Sequence, residues 1–190
     1  HAPFNEEKIV EFCNMVSDLN THVQFRIKHT RHSYLIGNML DLGPQGIEVP
    51  QVELVETAEE SVKNFYYPKV GLRSWGGTNR YGFGPNADRL EYAKWWNQYG
   101  VLWLQIESIY AVEKVNMFAL PGVDCLSFGP ADLTFNLESN PNYRLKNVDE
   151  CVQEVVDKLA GTNTKVCFRN YTRETREKYI DMGVTVFLER

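Results

Sequence analysis

Six apolar runs, each ending on or beside a polar residue, constrain this chain more than any other feature of its sequence. They read HVQFRI, GIEVP, VLWLQIE, VDCLSF, KVCF and VTVFL. Between them the apolar residues recur with helical spacing, and strands alternating with helices predict a parallel α/β fold. Asn5 is placed to cap a helix running to about Leu19, with Ile9, Val10, Phe12, Cys13, Val16 and Leu19 as its apolar stripe. A second helix, from about Ser33, stops at Gly43, a residue suited to a left-handed cap. Thr57 and Glu60 have the spacing of a capping box opening a third. Further helices are expected over 87–97, 108–119, 149–159 and 173–182.

No shift of composition marks a second domain, so the 190 residues are read as a single domain over 1–190. The formal net charge is -5, with Lys and Arg scattered among Asp and Glu. That leaves no basic stripe for a phosphate backbone and argues against a nucleic-acid partner. No run approaches the roughly 18 uncharged apolar residues that span a bilayer, and no signal segment is evident. A membrane is therefore not an expected partner, and the cytoplasm is the expected location. Cys13, Cys125, Cys151 and Cys167 lie far apart with no C-x-x-C pair, as expected of reduced core thiols.

The helix and strand periods are both lost between Tyr67 and Asn97, in YPKVGLRSWGGTNRYGFGPNADRLEYAKWWN. A Gly-punctuated, aromatic-rich excursion of this length inside a compact fold reads as an active-site loop leading into a helix. Polar residues gather at the C-terminal ends of the strands: Arg26, Glu48, Gln105, Glu107, Asp132, Arg169, Asn170 and Glu189. In a parallel α/β barrel that rim carries the chemistry.

Glu107 ends one apolar strand and Asp132 follows the next, so a parallel sheet sets the two carboxylates side by side. Facing anions repel and recruit a cation. Hard oxygens without His or Cys suit Mg²⁺ or Mn²⁺, with water and substrate completing the shell. The plainer alternative is that each carboxylate caps the helix after it. Arg26 could hold a carboxylate or a developing oxyanion, or it could be a surface residue. His22, His29 and His32 read as surface or loop residues.

The segments GIEVPQVELVETAEES, YPKVGLRSWGG, LQIES and PGVDCLSFGPADLT together resemble the HpcH/HpaI aldolases, class II metal-dependent pyruvate aldolases of the phosphoenolpyruvate/pyruvate superfamily. The likeness covers nearly all of the chain in order. It implies a TIM (β/α)8-type barrel, here without the first two strands and the final helix, and hence a portion of a longer chain. It implies a divalent metal held by Glu107 and Asp132, Mg²⁺ or Mn²⁺ ahead of Co²⁺ or Zn²⁺. The small-molecule 2-oxo acid would chelate that metal, with Gln105 and backbone N–H groups around Gly129, Pro130 and Ala131 contacting it. Arg26 matches the residue that steadies the enolate oxygen, His1 the catalytic histidine, and Asp41 the aspartate that pairs with it, often across a subunit interface.

The implied reaction cleaves a 4-hydroxy-2-oxo acid to pyruvate and an aldehyde, in a homo-oligomer that the resemblance makes a hexamer. Two departures stand out: Glu48 occupies a usually apolar position, and the aromatics from Trp75 to Trp96 suggest an acceptor pocket for a flat or apolar aldehyde. Rival readings are a non-catalytic barrel-derived subunit and a citrate lyase-like acyl-CoA lyase. The latter would want a basic patch for the CoA phosphates, which the sequence does not show.

Overall fold

The computed structural model describes residues 5–19, 21–84 and 87–189. Its strands are β1 (Gln24–Arg26), β2 (Gly46–Val49), β3 (Val101–Ile106), β4 (Cys125–Phe128), β5 (Lys165–Arg169) and β6 (Val186–Leu188). The helices between and around them are α1 (Glu6–Val16), α2 (Ile36–Leu40), α3 (Val55–Phe65), α4 (Arg89–Tyr99), α5 (Ile109–Glu113), α6 (Pro130–Glu138), α7 (Val148–Leu159) and α8 (Arg176–Asp181). The strands form one sheet in chain order, β1 to β6, and the registered pairs are parallel. The parallel α/β fold is therefore present. The described residues supply six strands, with β1 and β6 at the two ends of the order, rather than the eight of a closed barrel.

Local chemistry explains most of the boundaries. Asn5 caps α1 through Oδ1, which accepts from the Lys8 N–H at 2.9 Å. Of the stripe expected on this helix only Ile9 is buried; Phe12 and Leu19 are exposed, and Phe12 meets Phe25 edge-on at 5.9 Å. The second helix begins differently from its expectation. A 3₁₀ turn over Thr30–Leu35, capped by the His29 side chain at the Arg31 N–H (3.0 Å), precedes α2.

Gly43 does take a positive φ of 117°, and a Cβ there would come within 2.8 Å of the Cys13 Cβ. Two constraints thus favour glycine at the position where the chain leaves the helix. α3 starts at Val55, before the residue expected to cap it, because the Leu54 carbonyl already accepts from the Thr57 N–H at 3.1 Å. Asp88 caps α4 by accepting from the Leu90 and Glu91 N–H groups, both at 2.9 Å.

The described residues pack as two compact units, one within His1–Val49 and Glu59–Leu102, the other within Pro50–Ala58 and Trp103–Arg190. Neither unit is a contiguous segment, which is why no shift of composition announces them. In the first, β1 pairs with β2 in the register Gln24↔Gly46 to Arg26↔Glu48, over a core that includes Ile36, Leu40, Ile47, Phe65 and Trp96. In the second, Leu104, Ile106, Leu126 and Phe128 of β3 and β4 are fully buried, together with Val152 and Val155 of α7. All four cysteines are free thiols; Cys125, Cys151 and Cys167 are buried and Cys13 is half-buried. Burial pushes the Cys13 and Cys151 thiols up to about 11, which keeps them protonated and unreactive at neutral pH. Among the described residues no helix is long and apolar enough to cross a membrane.

The buried strand residues should behave as close-packed core. Leu126→Ala is expected to cost about 2 to 5 kcal/mol of unfolding free energy in urea titration, and a loss under about 1 kcal/mol would contradict this packing.

Candidate active site

The second unit brings Gln105, Glu107, Gly129 and Asp132 to the C-terminal ends of β3 and β4. The register Gln105↔Ser127 and Ile106↔Phe128 continues one step further to set Glu107 against Gly129. The Gly129 N–H donates to the Ile106 carbonyl at 3.0 Å, which holds the two strand ends together. Gln105 and Glu107 are both buried, at 2% and 7% exposure.

Glu107 is fixed from two sides. Its Oε2 accepts from the backbone N–H of Gln51 at 2.9 Å. Its other flank lies against the bare Cα of Gly129, where an added Cβ would come within 2.6 Å of Glu107 Cγ and 2.8 Å of Cδ, and closer still to Oε1. Only glycine leaves room for this carboxylate. Gln51 itself is the one non-glycine residue with a positive φ among the described residues, 48°, a conformation that costs an ordinary side chain about 1 to 3 kcal/mol. The bond from the Val52 N–H to the Gln105 carbonyl (3.0 Å) ties this strap along the end of β3.

These contacts decide one of the alternatives left open by the sequence. Glu107 is no helix cap, since Ser108 fills that place on α5, its Oγ accepting from the Ala111 N–H at 3.2 Å. Asp132 does lie in the first turn of α6, where a carboxylate complements the helix dipole, and its side chain is exposed. Of the backbone donors expected around Gly129, Pro130 and Ala131, the first is engaged by Ile106 and the second does not exist. The first-turn N–H groups of Ala131 and Asp132 are the donors that α6 can offer an anion.

Among the described residues no three His, Cys, Asp or Glu side chains converge as a complete metal-ligand set. The donor set at this rim fits Mg²⁺ or Mn²⁺, which accept one or two carboxylates and fill the remaining positions with water and substrate oxygens. It fits structural zinc poorly, for want of thiolate or imidazole.

The first unit holds the other candidates. Arg26 ends β1 in register with Glu48, so their side chains leave the same face of the sheet, and the Ile27 N–H donates to the Glu48 carbonyl at 3.0 Å. Glu48 is buried at 6% exposure. Arg26 also lines a cavity of about 810 Å³ with Phe25, Lys28, His32 and Met39. His1 lies outside the described residues. His22 stacks on Tyr99 at 5.0 Å and His29 caps the 3₁₀ turn, so both are accounted for structurally.

Asp41 closes α2 and accepts from Arg73 Nη2 at 2.8 Å. Four aromatics of the Trp75 to Trp96 segment, Trp75, Phe83, Tyr92 and Trp96, lie against two buried guanidinium groups, while Tyr81 and Trp95 stack with Tyr99. Arg80 lies over Trp75 and Phe83 at 4.0 and 4.2 Å, and Arg73 over Tyr67 and Trp96 at 4.7 and 4.6 Å. Those four rings therefore pack on cations. Sequence reasoning gave no part to Gln51, because a left-handed glutamine has no composition signal. It also overlooked Arg73, although the Gly-rich aromatic setting of YPKVGLRSWGG was a usable hint.

The family described as HpcH/HpaI aldolase/citrate lyase matches the chain over residues 7–179. The chain belongs to that family. A 5-keto-4-deoxy-D-glucarate aldolase of Shigella boydii serotype 18 (strain CDC 3083-94 / BS512) is 28% identical over 158 residues, which make up 82% of this chain and 60% of that relative. A hydroxypyruvate/pyruvate aldolase of Delftia acidovorans is 28% identical over 188 residues, 96% of this chain and 68% of that one. The solved HpcH/HpaI aldolase from Desulfitobacterium hafniense DCB-2 matches with a TM-score of 0.86 at 25% identity, covering 100% of this chain and 73% of its own. The chain thus spans 60% of the length of the Shigella relative.

At this candidate site, Gly129→Ala is expected to expel the Glu107 carboxylate from its place beside the Gln51 N–H, visible in a crystal structure, with a stability loss of about 1 to 3 kcal/mol from overpacking. Gln51→Gly keeps the donor and relaxes the backbone, so its unfolding free energy should stay within about 1 kcal/mol of wild type. A carboxylate that keeps its position in Gly129→Ala would refute the packing argument.

Proposed function

We propose that the protein is a metal-dependent aldolase that cleaves a 4-hydroxy-2-oxo acid into pyruvate and an aldehyde. The observation that carries this reading is Glu107, a buried carboxylate held between the Gln51 N–H and the Cβ-less face of Gly129 beside the turn that bears Asp132. Rigid placement of this kind is what a site with only two protein carboxylates requires of each ligand. When bound there, Mg²⁺ or Mn²⁺ would supply Lewis acidity that draws electrons toward the 2-oxo oxygen.

The chain's own groups supply the remainder. The Ala131 and Asp132 N–H groups at the start of α6 are oriented to bind the substrate carboxylate, and Gln105 offers an amide to orient the 2-oxo acid. A base removes the proton from the C4 hydroxyl, the C4–O bond becomes the aldehyde carbonyl, and the C3–C4 electron pair passes to C3 and onward to the 2-oxo oxygen as the pyruvate enolate. Protonation at C3 then releases pyruvate. The family likeness assigns steadying of the enolate oxygen to Arg26, the base to His1 and the partner of that base to Asp41. Planar, permanently charged guanidinium suits the first task, and a carboxylate that orients an imidazole suits the last.

The test uses the full polypeptide supplied with Mn²⁺ and a 4-hydroxy-2-oxo acid, following pyruvate with a coupled assay. EDTA should abolish turnover reversibly, and Glu107→Gln and Asp132→Asn should each lower kcat by about a hundredfold or more, the scale of removing one preorganised electrostatic group. Pyruvate release that survives chelation and both substitutions would rule the proposal out.

A further inference from the structure

The segment between α3 and α4 buries two cations around one carboxylate. Arg73 is fully buried on its side chain, while Asp41 keeps 18% of its side chain exposed. Their bond runs from Arg73 Nη2 to Asp41 Oδ1. Oδ2 lies instead beside the glycine pair of the same segment. A Cβ on Gly76 would stand 3.5 Å from it, and one on Gly77, at φ 72°, would stand 3.2 Å from it and 2.5 Å from the Asp41 Cβ. The carboxylate therefore has one oxygen tied and the other left as an acceptor at a partly open edge.

Arg73 is itself held rigidly. Its guanidinium lies over the Tyr67 and Trp96 rings, its backbone N–H donates to the Tyr66 carbonyl at 2.9 Å, and its Cγ packs so close to Gly37 that a Cβ there would be 3.2 Å away. Arg73 Nε and Nη1 and Arg80 Nε are buried with no hydrogen-bond partner among the described residues. Keeping two aromatic-stacked guanidinium groups against a single carboxylate is costly, and such a surplus of positive charge stabilises the anionic form of Asp41.

We propose that Arg73 is a positioning residue for the carbon–carbon cleavage: without touching substrate, it fixes Asp41 as a carboxylate in one orientation with Oδ2 free to orient the catalytic imidazole. This rests on the reading of Asp41 as partner of the base. Burial lifts the Asp41 carboxyl above its ordinary range, and hydrogen bonding to Arg73, its charge and that of Arg80 pull the other way. The other titratable groups facing the pair are Tyr67 and Tyr92, the latter pushed up to about 12 chiefly by burial and so neutral. Removing Arg73 leaves burial less opposed, and Asp41 then takes up its proton at higher pH.

The test compares wild type, Asp41→Asn, Arg73→Met and Arg73→Lys in the full, Mn²⁺-loaded polypeptide, measuring kcat and KM across pH, the Asp41 carboxyl titration by ¹³C NMR, and Tm. Arg73→Met should lower kcat about a hundredfold with KM nearly unchanged, the scale of a misplaced catalytic group, and should move the Asp41 titration and the acid limb of kcat upward in pH. Arg73→Lys should keep the Asp41 titration near its wild-type position, because a cation remains, yet lower kcat because the fork that sets the orientation is gone. A folded Arg73→Met with wild-type kcat and pH profile, whatever its Tm, overturns the proposal. So does wild-type kcat in Arg73→Lys if Arg73→Met does not fold. An Asp41→Asn variant with undiminished kcat would instead overturn the reading of Asp41 beneath it.

Discussion

The candidate site depends on a single contact arrangement: a carboxylate with a backbone donor on one side and an absent side chain on the other. Glu107 accepts from the Gln51 N–H and rests on the Gly129 Cα. An exposed glutamate samples several rotamers, and ordering it has an entropic cost. Burial against Gly129 meets that cost before any ligand arrives, so binding does not have to. The same arrangement explains why the adjoining residues take the forms they do. Gln51 holds a left-handed backbone because its N–H must face Oε2, and Ser108 takes over the capping of α5 because Glu107 is engaged elsewhere.

Charge is handled differently in the two units. Near Glu107 and Asp132 one carboxylate is buried and the other exposed, and the helix N-terminus of α6 offers complementary N–H groups. Around Asp41 the balance is reversed, with Arg73 and Arg80 both buried and both stacked on rings. Aromatic faces attract a guanidinium without accepting its N–H bonds, so these cations remain under-satisfied and hold Asp41 strongly. Glu48 adds a further buried carboxylate, on β2 in register with Arg26.

Strand identity and order were legible because each strand is a short apolar run with a polar end, and its shortness together with its flanking turn residues separates it from the longer, 3.6-period helices. The rim positions of Glu107 and Asp132 followed from the parallel order. Boundaries were less legible. The stripe on α1 read as core, yet Phe12 and Leu19 lie exposed, since spacing reports that a face is apolar and not how much of it is covered. The capping box at Thr57 was displaced by the Leu54 carbonyl, a competition between main-chain acceptors that no residue type encodes. The loop from Trp75 onward announced itself by composition, but its use did not. Aromatics beside arginines suit a ligand pocket and a packed cation cluster equally well, and only the ring-to-guanidinium distances separate the two. Gln51 was silent altogether, because its role lies in φ and a backbone N–H.

The bond between Gln51 and Glu107 joins residues 56 positions apart. During synthesis the strap around Gln51 leaves the ribosome well before its acceptor exists, and until then nothing opposes relaxation of its backbone to an ordinary right-handed or extended state. Closing so long a loop carries an entropic cost that grows only slowly with length, so the nascent chain loses little by waiting. The arrangement around Glu107 accordingly takes shape only after β3 and the turn at Gly129 have emerged.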